Sequence, residues 1–291
     1  MPKYNRYVMP LFSDTHGGHT LGLLNPETII KEYDQEGNEY ILELSLSRTQ
    51  SFLWELYTKH IKELEYIAQN DDIFPFFLGD LSNGNKYKDQ LVFSSIYGQL
   101  AVAYYNLLPM ARLKNVKRMR LAWGTSSHIF GEATTPRVVE DRLRENFPKK
   151  DIKGVPHGLL DINGLVIDYA HHGPGKGKRN WLAGNEFRYY LKSMQADEID
   201  CGHHPPDLVA RAHNHVRHEE IVYKFANGMK YTTHGILVPS YDLMSDFARQ
   251  VTHSKSRVTN GMAVVEVING KIHYVHWLTK TSDIRVKEKI K

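Results

Sequence analysis

Five short apolar segments of this 291-residue chain each end in a cluster of polar side chains. In chain order the clusters are Ser13-Asp14-Thr15-His16, Gly79-Asp80, Gly124-Thr125, His171-His172 and His213-Asn214-His215. Ligands of open α/β sheets collect at the carboxyl ends of the strands. Acids and histidines at five successive strand ends therefore predict one functional site to which all five strands contribute.

The order of the apolar segments predicts the fold class. Their spacing predicts strands at residues 7–13, 73–78, 119–123, 165–170 and 208–212, and helices at 48–70, 90–113, 135–147 and 185–196. Asn163-Gly164, Asn227-Gly228 and Asn269-Gly270 predict hairpin turns. Strand–helix alternation followed by hairpins is typical of a layered α/β domain. We expect a single domain over residues 1–291, with an insertion at about 20–70 and C-terminal hairpins at about 218–280.

Composition excludes several classes of protein. The 37 Lys and Arg against 33 Asp and Glu give a net charge of +4, which is too small to indicate nucleic-acid binding by itself. The single Cys201 excludes an internal disulfide framework and a multi-cysteine zinc site. No apolar run approaches the roughly 18 residues of a membrane-spanning helix, and the N-terminus lacks a signal-peptide core. These features predict a cytoplasmic enzyme that does not bind a membrane.

The chain is rich in histidine, with 16 residues, and the placement of several beside acids indicates a metal site. On an extended segment Asp14 and His16 project to the same side, and so do His213 and His215. A pair of divalent cations needs nitrogen and oxygen ligands and one carboxylate that bridges the ions. Asp80, which follows a glycine in a tight turn, is the candidate for that bridge.

The five clusters resemble the motif series of the calcineurin-like metallophosphoesterase superfamily, which runs D-x-H, G-D, G-N-H-[DE], H and G-H-x-H. They occur here in the same order between Asp14 and His215. The third motif departs from the family pattern, since it reads Gly124-Thr125-Ser126-Ser127-His128. The resemblance implies a four-layer αββα sandwich with a dinuclear metal centre. The G-T-x-x-H variant is also similar to what phage-encoded relatives carry, which implies a phage-encoded protein acting in the host cell.

By this resemblance, Asp14, His16 and His215 hold one cation, and Asp80 bridges it to a second. The implied activity is that of a metal-dependent phosphoesterase in which a metal-bound hydroxide attacks phosphorus. Mn, Fe, Zn, Ni and Co are all compatible with histidine and aspartate ligands, so the identity of the two cations stays open.

The second cation is the part of the site where the resemblance leaves alternatives. His213 is one implied ligand, and the other is His171 or His172. We prefer His171, because the ligand of the family tends to be the first polar residue after that strand. Thr125 stands where the family has a metal-ligating asparagine and offers a hydroxyl oxygen instead. His128 is the implied catalytic residue, which assists departure of the leaving group.

The substrate is expected to be a phosphate ester, of which three classes stay open: a nucleic-acid phosphodiester, a nucleotide or small phosphodiester, and a phosphomonoester. Two basic clusters favour DNA or RNA; they are Arg112, Lys114, Lys117, Arg118 and Arg120, and the candidate substrate-binding residues Lys176, Lys178 and Arg179. The alternative function is that of a non-catalytic binding or structural protein with a degraded second metal site. The threonine at position 125 is the feature that supports this alternative.

Overall fold

A computed structural model of the chain describes residues 5–86, 91–93, 95–131, 134–175, 177, 183–243 and 255–290. The described residues form two large β-sheets, a small hairpin and four α-helices. The predicted α/β class is therefore confirmed. Among these residues, no helix has the length and apolar character needed to cross a membrane.

The first sheet has β1 at its centre, where all but one of the strand's residues are buried. Its strands are β1 (Arg6–Phe12), β4 (Asp72–Ile73), β5 (Phe76–Phe77), β6 (Arg118–Ala122), β7 (Asp151–Val155), β13 (Arg257–Ile268) and β14 (Lys271–Asp283). The order is β14-β13-β1-β5-β6-β7, with β4 also paired to β1. Because β1, β5 and β6 are parallel neighbours, their carboxyl ends meet at one edge of the sheet.

The second sheet has a parallel centre and two antiparallel margins, whereas the first sheet is parallel as far as its β7 edge and antiparallel only on its β13–β14 side. Its strands are β8 (His157–Ile162), β9 (Leu165–Ala170), β10 (Leu208–Arg211), β11 (His218–Ala226) and β12 (Met229–Leu237), in the order β11-β12-β10-β9-β8. The strands β9, β10 and β12 are parallel, so their carboxyl ends share an edge. A separate hairpin pairs β2 (Lys31–Tyr33) with β3 (Glu39–Ile41).

The helices are α1 (Arg48–Ala68), α2 (Ile96–Arg112), α3 (Thr134–Asn146) and α4 (Asn185–Asp200), with a short 3-10 turn at Ser126–His128. The first of them shows why the sequence starts a helix where it does. Ser47 accepts a hydrogen bond from the backbone N–H of Gln50, and the Gln50 side chain accepts one from the N–H of Ser47. This reciprocal capping satisfies two backbone donors that the first helical turn leaves unpaired.

The first sheet separates two hydrophobic cores, because alternate residues of its strands point to opposite faces. Leu11 of β1 packs in a cluster with Ile167 of β9 and other residues of both sheets. Val8, which points to the other face of the first sheet, belongs to a cluster that contains residues of α1, α2 and α3. Phe187 and Leu191 of α4 pack on the second sheet. The two sheets therefore share an apolar core and bring their strand ends into one region.

Several predicted elements differ from the structure in their extent, and two of the differences have a clear local cause. The strand expected at 73–78 is two short strands, β4 and β5, separated by Phe74 and Pro75. Pro75 has no N–H to donate to a ladder, so pairing cannot continue through it. The helix expected from residue 90 begins at Ile96, because Ser95 caps it by accepting a hydrogen bond from the N–H of Gly98 at 3.0 Å.

Candidate metal centre

The ends of five strands from both sheets meet in one cluster of side chains. Asp14 follows β1, Asp80 follows β5, Thr125 follows β6, His171 follows β9 and His213 follows β10. Backbone hydrogen bonds join the first two ends, since the N–H of Asp14 donates to the carbonyl of the glycine before Asp80 at 3.0 Å. The structure brings together every metal-ligating and catalytic residue that the sequence predicts. The three basic residues predicted to bind substrate, Lys176, Lys178 and Arg179, lie outside the described residues.

The backbone of the cluster is strained at the predicted ligands. The φ angles of Asp14, His16, Asp80, His213 and His215 are 52°, 41°, 56°, 67° and 48°. The other described non-glycine residues with positive φ are Gln69, which follows a helix, and Asn163, Asn227 and Asn269 in hairpin turns. A non-glycine residue in this left-handed region costs on the order of 1–3 kcal/mol, and such residues concentrate at functional sites.

The first group of ligand atoms comprises Asp14, His16 and His215. Asp14 Oδ1 lies 3.1 Å from His215 Nε2 and 3.8 Å from His16 Nε2. Asp14 is fully buried and His16 is 5% exposed. Both ring nitrogens of His16 are buried without a hydrogen-bond partner, which is a costly arrangement for an imidazole. A cation among these three side chains would give that ring the partner it lacks.

Asp80 lies between the first group and the neighbouring histidines. Its Oδ2 is 3.0 Å from His171 Nε2 and 3.9 Å from His128 Nε2. Its Oδ1 accepts a hydrogen bond from the backbone N–H of Thr125 at 2.6 Å. Gly124 precedes Thr125, and a side chain at position 124 would overlap the Asp80 carboxylate. The backbone can therefore approach Asp80 this closely only because position 124 is a glycine. The carboxylate oxygens of Asp80 therefore lie where they could serve as ligands both beside His16 and His128 and beside His171.

The second group comprises His171, His172 and His213, with Thr125 beside them. Ligand atoms of the three histidines lie within 4.8 Å of one another. The Thr125 Oγ1 atom is 3.2 Å from His172 Nε2 and 3.3 Å from His213 Nδ1. His171 is buried, whereas His172 and His213 are exposed. Both members of the adjacent histidine pair thus lie at this group.

A backbone carbonyl orients His171. The His171 Nδ1–H donates to the carbonyl oxygen of Leu78 at 2.6 Å, which leaves Nε2 to face Asp80 and Asp14. Histidines that bind metals usually donate their second ring N–H to a carbonyl or carboxylate in this way. The geometry favours His171 as a ligand, as the sequence predicts.

His128 is oriented by the same kind of contact. Its Nδ1–H donates to the carbonyl oxygen of Asn83 at 2.7 Å, and its ring packs edge-on against His16 with 4.6 Å between centroids. The other ring nitrogen, Nε2, therefore faces Asp80, at 3.9 Å from its Oδ2. No acid follows His128 directly in the sequence, and the Asn83 carbonyl provides an orienting acceptor in its absence.

Burial and nearby charges together set the pKa values of the buried groups. Burial raises the pKa of Asp14 and of Asp80, but the nearby histidines outweigh burial and hold both values below the usual range of an aspartate. Burial lowers the pKa of His171, but Asp80 and Asp14 outweigh it and raise the value to about 9. Burial and the charge of His128 lower the pKa of His16 to about 4. The two carboxylates are therefore charged at neutral pH and available to a cation.

Asp242 is a buried residue near the site that was not predicted from the sequence. This residue follows β12, whose carboxyl end meets the same edge of the second sheet, and it is only 6% exposed. Burial raises its pKa well above the usual range, and its charge contributes to a raised pKa of His215. The signal was a sixth strand end that carries an acid, but Asp242 lies five residues beyond Leu237, too far to read as part of that strand's terminus.

Three of the five residues in the first basic cluster form ion pairs with acidic side chains. Its members Arg112, Lys117 and Arg120 form ion pairs with Glu27, Asp72 and Asp151 at 3.4, 2.6 and 2.6 Å. The cluster includes the first residue of β6, whereas the site lies beyond the last residue of that strand. These ion pairs weaken the sequence-based argument for nucleic acid.

The donor set fits divalent transition metals. Each group offers imidazole nitrogens, and the carboxylates of Asp14 and Asp80 add oxygens. Mixed nitrogen and oxygen sites suit Zn, Fe, Ni, Co and Mn, whereas Ca and Mg prefer oxygen alone. The unpartnered ring of His16 supports the same fit.

No protein-family model matches the chain, and no curated protein matches it significantly. Among solved structures, the chain is similar to a protein of unknown function from Aquifex aeolicus. The two are 16% identical, with a TM-score of 0.33, over 72% of this chain and 80% of that chain.

Proposed function

We propose that this chain is a metal-dependent phosphoesterase of the calcineurin-like type, which binds two divalent cations in the candidate metal centre. One observation carries the proposal. Asp14, His16, Asp80, His213 and His215 match the family motifs, and the same five residues have the strained left-handed backbone. The strain has a reason if these side chains must converge on cations, since binding energy then compensates for it.

The packing of the two sheets supports the proposal at the level of fold. The helices α1, α2 and α3 share a core with the first sheet, the two sheets share a second core, and α4 packs on the second sheet. This packing supports the four-layer αββα sandwich that the resemblance implies. The carboxyl ends of the parallel strands then lie side by side at one edge, where the resemblance places the metal centre.

The two cations would be held by different side chains. Asp14, His16 and His215 would hold the first, and Asp80 would contact both. His171 and His213 would hold the second, beside the Thr125 hydroxyl. When bound, the cations supply Lewis-acid stabilisation of the charge that develops on a phosphoryl group and make water a better nucleophile near neutral pH.

His128 is the residue we assign to the leaving group. Its Nδ1–H is fixed by the Asn83 carbonyl, so a second proton can be carried only on Nε2, the atom that faces the site. A proton at that atom can pass to a departing oxygen, which is the role of a general acid. The fixed ring orientation limits the entropy lost when the proton is delivered.

A cleft beside His128 gives the substrate a place to lie. Its volume is about 430 Å³, and its lining includes Lys86, Ser126, Ser127 and Phe130. Small-molecule sites usually occupy about 300–1,000 Å³, so the cleft can hold a group of the size of a nucleoside. The combination of an amine, hydroxyls and an aromatic ring suits a phosphate ester of a polar organic group.

Hydrolysis of model esters tests the proposal. The metal-free protein is supplied with Mn²⁺, Ni²⁺ or Zn²⁺ and assayed with bis(p-nitrophenyl) phosphate and with p-nitrophenyl phosphate, each with and without EDTA. We expect hydrolysis of at least one ester that chelation abolishes. Preference for the diester directs the search to nucleic acids and small phosphodiesters, and preference for the monoester directs it to phosphatase substrates. Absence of hydrolysis with every cation would contradict the proposal and favour a non-catalytic binding protein.

A further inference from the structure

The second group contains both His171 and His172, although the resemblance implies only one of these two adjacent histidines as a metal ligand. We propose that His172 binds the second cation directly, together with His171 and His213, so that this position is a three-histidine site completed by Asp80. The inference deepens the proposed function and rests on its dinuclear centre. It assigns a metal ligand at an exposed residue that otherwise has no role.

The geometry places His172 in the group as closely as its neighbours. Its ring centroid is 4.8 Å from that of His171 and 4.8 Å from that of His213, while those two rings are 5.1 Å apart. Ligand atoms of the three rings lie within 4.8 Å of one another. Nitrogens bound to one tetrahedral zinc at about 2.0–2.1 Å lie roughly 3.3 Å apart. His172 and His213 are exposed, so rotation of their rings is the movement that would close the remaining distance.

Thr125 has a different task, because its polar atoms already serve Asp80. The Thr125 N–H donates to Asp80 Oδ1, and its hydroxyl lies 3.3 Å from Asp80 Oδ2. A neutral hydroxyl is also a weaker ligand for zinc, cobalt or nickel than an imidazole. His172 Nε2 is 3.2 Å from that hydroxyl. The imidazole is thus available beside the position that a weak oxygen ligand would otherwise have to fill.

With His172 as a ligand, the two cations would have different ligand sets. The first has the carboxylates of Asp14 and Asp80 with two imidazoles, and the second has three imidazoles with one carboxylate. Imidazole suits Zn²⁺, Ni²⁺ and Co²⁺, whereas carboxylate oxygen suits Mn²⁺. The second position therefore selects an imidazole-preferring cation more strongly than the first does.

Metal binding by the full-length chain tests the inference without an activity assay. The metal-free wild type, His172→Ala and the control His203→Ala are titrated with Zn²⁺ by calorimetry, and bound zinc is counted after desalting. His203 is a matched control, since its side chain is 70% exposed and pairs with Glu198 of α4. We expect two zinc ions per wild-type chain and an unchanged control. In His172→Ala the second ion should bind about tenfold more weakly or worse, with the first unchanged.

Visible spectra of the Co²⁺-loaded proteins show whether His172 is a ligand or only a neighbour. Loss of an imidazole ligand changes the ligand-field bands of one cobalt ion, whereas loss of a neighbouring ring leaves them in place. His172→Gln, which preserves side-chain size, is measured in parallel in case the alanine variant does not fold, and we expect the same changes. Wild-type affinity and spectrum in a folded His172 variant would overturn the inference while the dinuclear proposal stands. Fewer than two zinc ions in the wild type would overturn both.

Discussion

The two groups of the candidate metal centre differ in how firmly the fold holds them. In the first group, Asp14 and His16 are buried and every member has a left-handed backbone, so position and orientation are fixed before any cation arrives. In the second group, His172 and His213 are exposed, and only His213 has that backbone. The strands fix the first group, whereas side-chain rotation can adjust the second.

The two groups also differ in the hydrogen-bond partners of their imidazole nitrogens. The His16 ring is buried with two unpartnered nitrogens, so the metal-free first group stores an unfavourable contact that a cation relieves. In the second group, His171 Nε2 is likewise buried without a hydrogen-bond partner, but the exposed rings of His172 and His213 lie 3.2 and 3.3 Å from the Thr125 hydroxyl oxygen. We infer that a fixed site ensures one tightly held cation, and that an adaptable site next to it can bind a cation and contact substrate.

Removal of the shared carboxylate should have the largest effect, because it acts on both groups. We expect Asp80→Asn to lower turnover by about 10³-fold or more, since several kcal/mol of charge stabilisation are lost at about 1.4 kcal/mol per factor of ten. Both cations should bind more weakly. The check is hydrolysis of the preferred ester together with the number of cations per chain.

The matched control for this variant is Asp72→Asn. Asp72 is exposed and pairs with Lys117 at the start of β6, so its loss should change neither quantity. Normal turnover with two bound cations in Asp80→Asn would refute the assignment of Asp80 as the shared ligand.

Substitution of His128 should separate catalysis from metal binding. We expect His128→Ala to lower turnover by about 10²–10³-fold, the usual contribution of a positioned acid, while cation content stays near that of the wild type. Turnover of an ester with a better leaving group should fall less, because that group needs no proton. If His128→Ala instead loses one cation, then His128 is a ligand of the group it forms with His16 and Asp80.

Chelation should remove the two cations in order. With Mn²⁺ bound, we expect dialysis against EDTA to take the cation of the exposed second group first and that of the buried first group later. A cation at 1,000 times its dissociation constant stabilises the fold by about 4 kcal/mol, so the thermal midpoint should fall in two steps. Metal content and the melting temperature, followed over time, provide the measurement. Simultaneous loss of both cations at one rate would contradict the proposed difference between the groups.

The smallest expected effect concerns the pH dependence of the metal-free protein, and it has opposite signs in the two groups. The pKa of His171 is raised to about 9, so its contribution to stability is full below about pH 6.5 and is lost as the pH rises through 9. The pKa of His16 is lowered to about 4, so its contribution declines as the pH falls from about 6.5 through 4.

Urea unfolding of the metal-free wild type, His171→Gln and His16→Gln checks both signs. The free-energy difference between wild type and His171→Gln should shift against the wild type between pH 6.5 and 9. The difference from His16→Gln should do so between pH 6.5 and 4. Differences that stay constant across both ranges would show that these rings do not titrate as described.

Much of the fold could be predicted because its signals are local. The Asn163-Gly164, Asn227-Gly228 and Asn269-Gly270 turns have a strong hairpin signature, and the polar residues that follow β1, β5, β6, β9 and β10 mark strand ends. Pro75 is also a local signal for a break between strands, but the apolar residues on both sides of it led to the prediction of one continuous strand. Parallel pairing then places the strand ends together, so the membership of the site follows from the order of elements.

The parts of the site that could not be predicted depend on backbone contacts and on distance along the chain. The carbonyls of Leu78 and Asn83 orient His171 and His128, and a backbone carbonyl has no sequence signature. The roles of adjacent His171 and His172 depend on ring orientation, which spacing does not reveal. Asp242 reaches the site from a segment well beyond its strand.

The central claim is that one dinuclear centre lies across both groups. Electron paramagnetic resonance of the protein loaded with two equivalents of Mn²⁺ tests it most directly, because ions about 3.5–4 Å apart that share a ligand couple magnetically. We expect a spin-coupled pair in the wild type that Asp80→Asn abolishes. A spectrum of isolated Mn²⁺ in the wild type, or binding of a single ion, would contradict it.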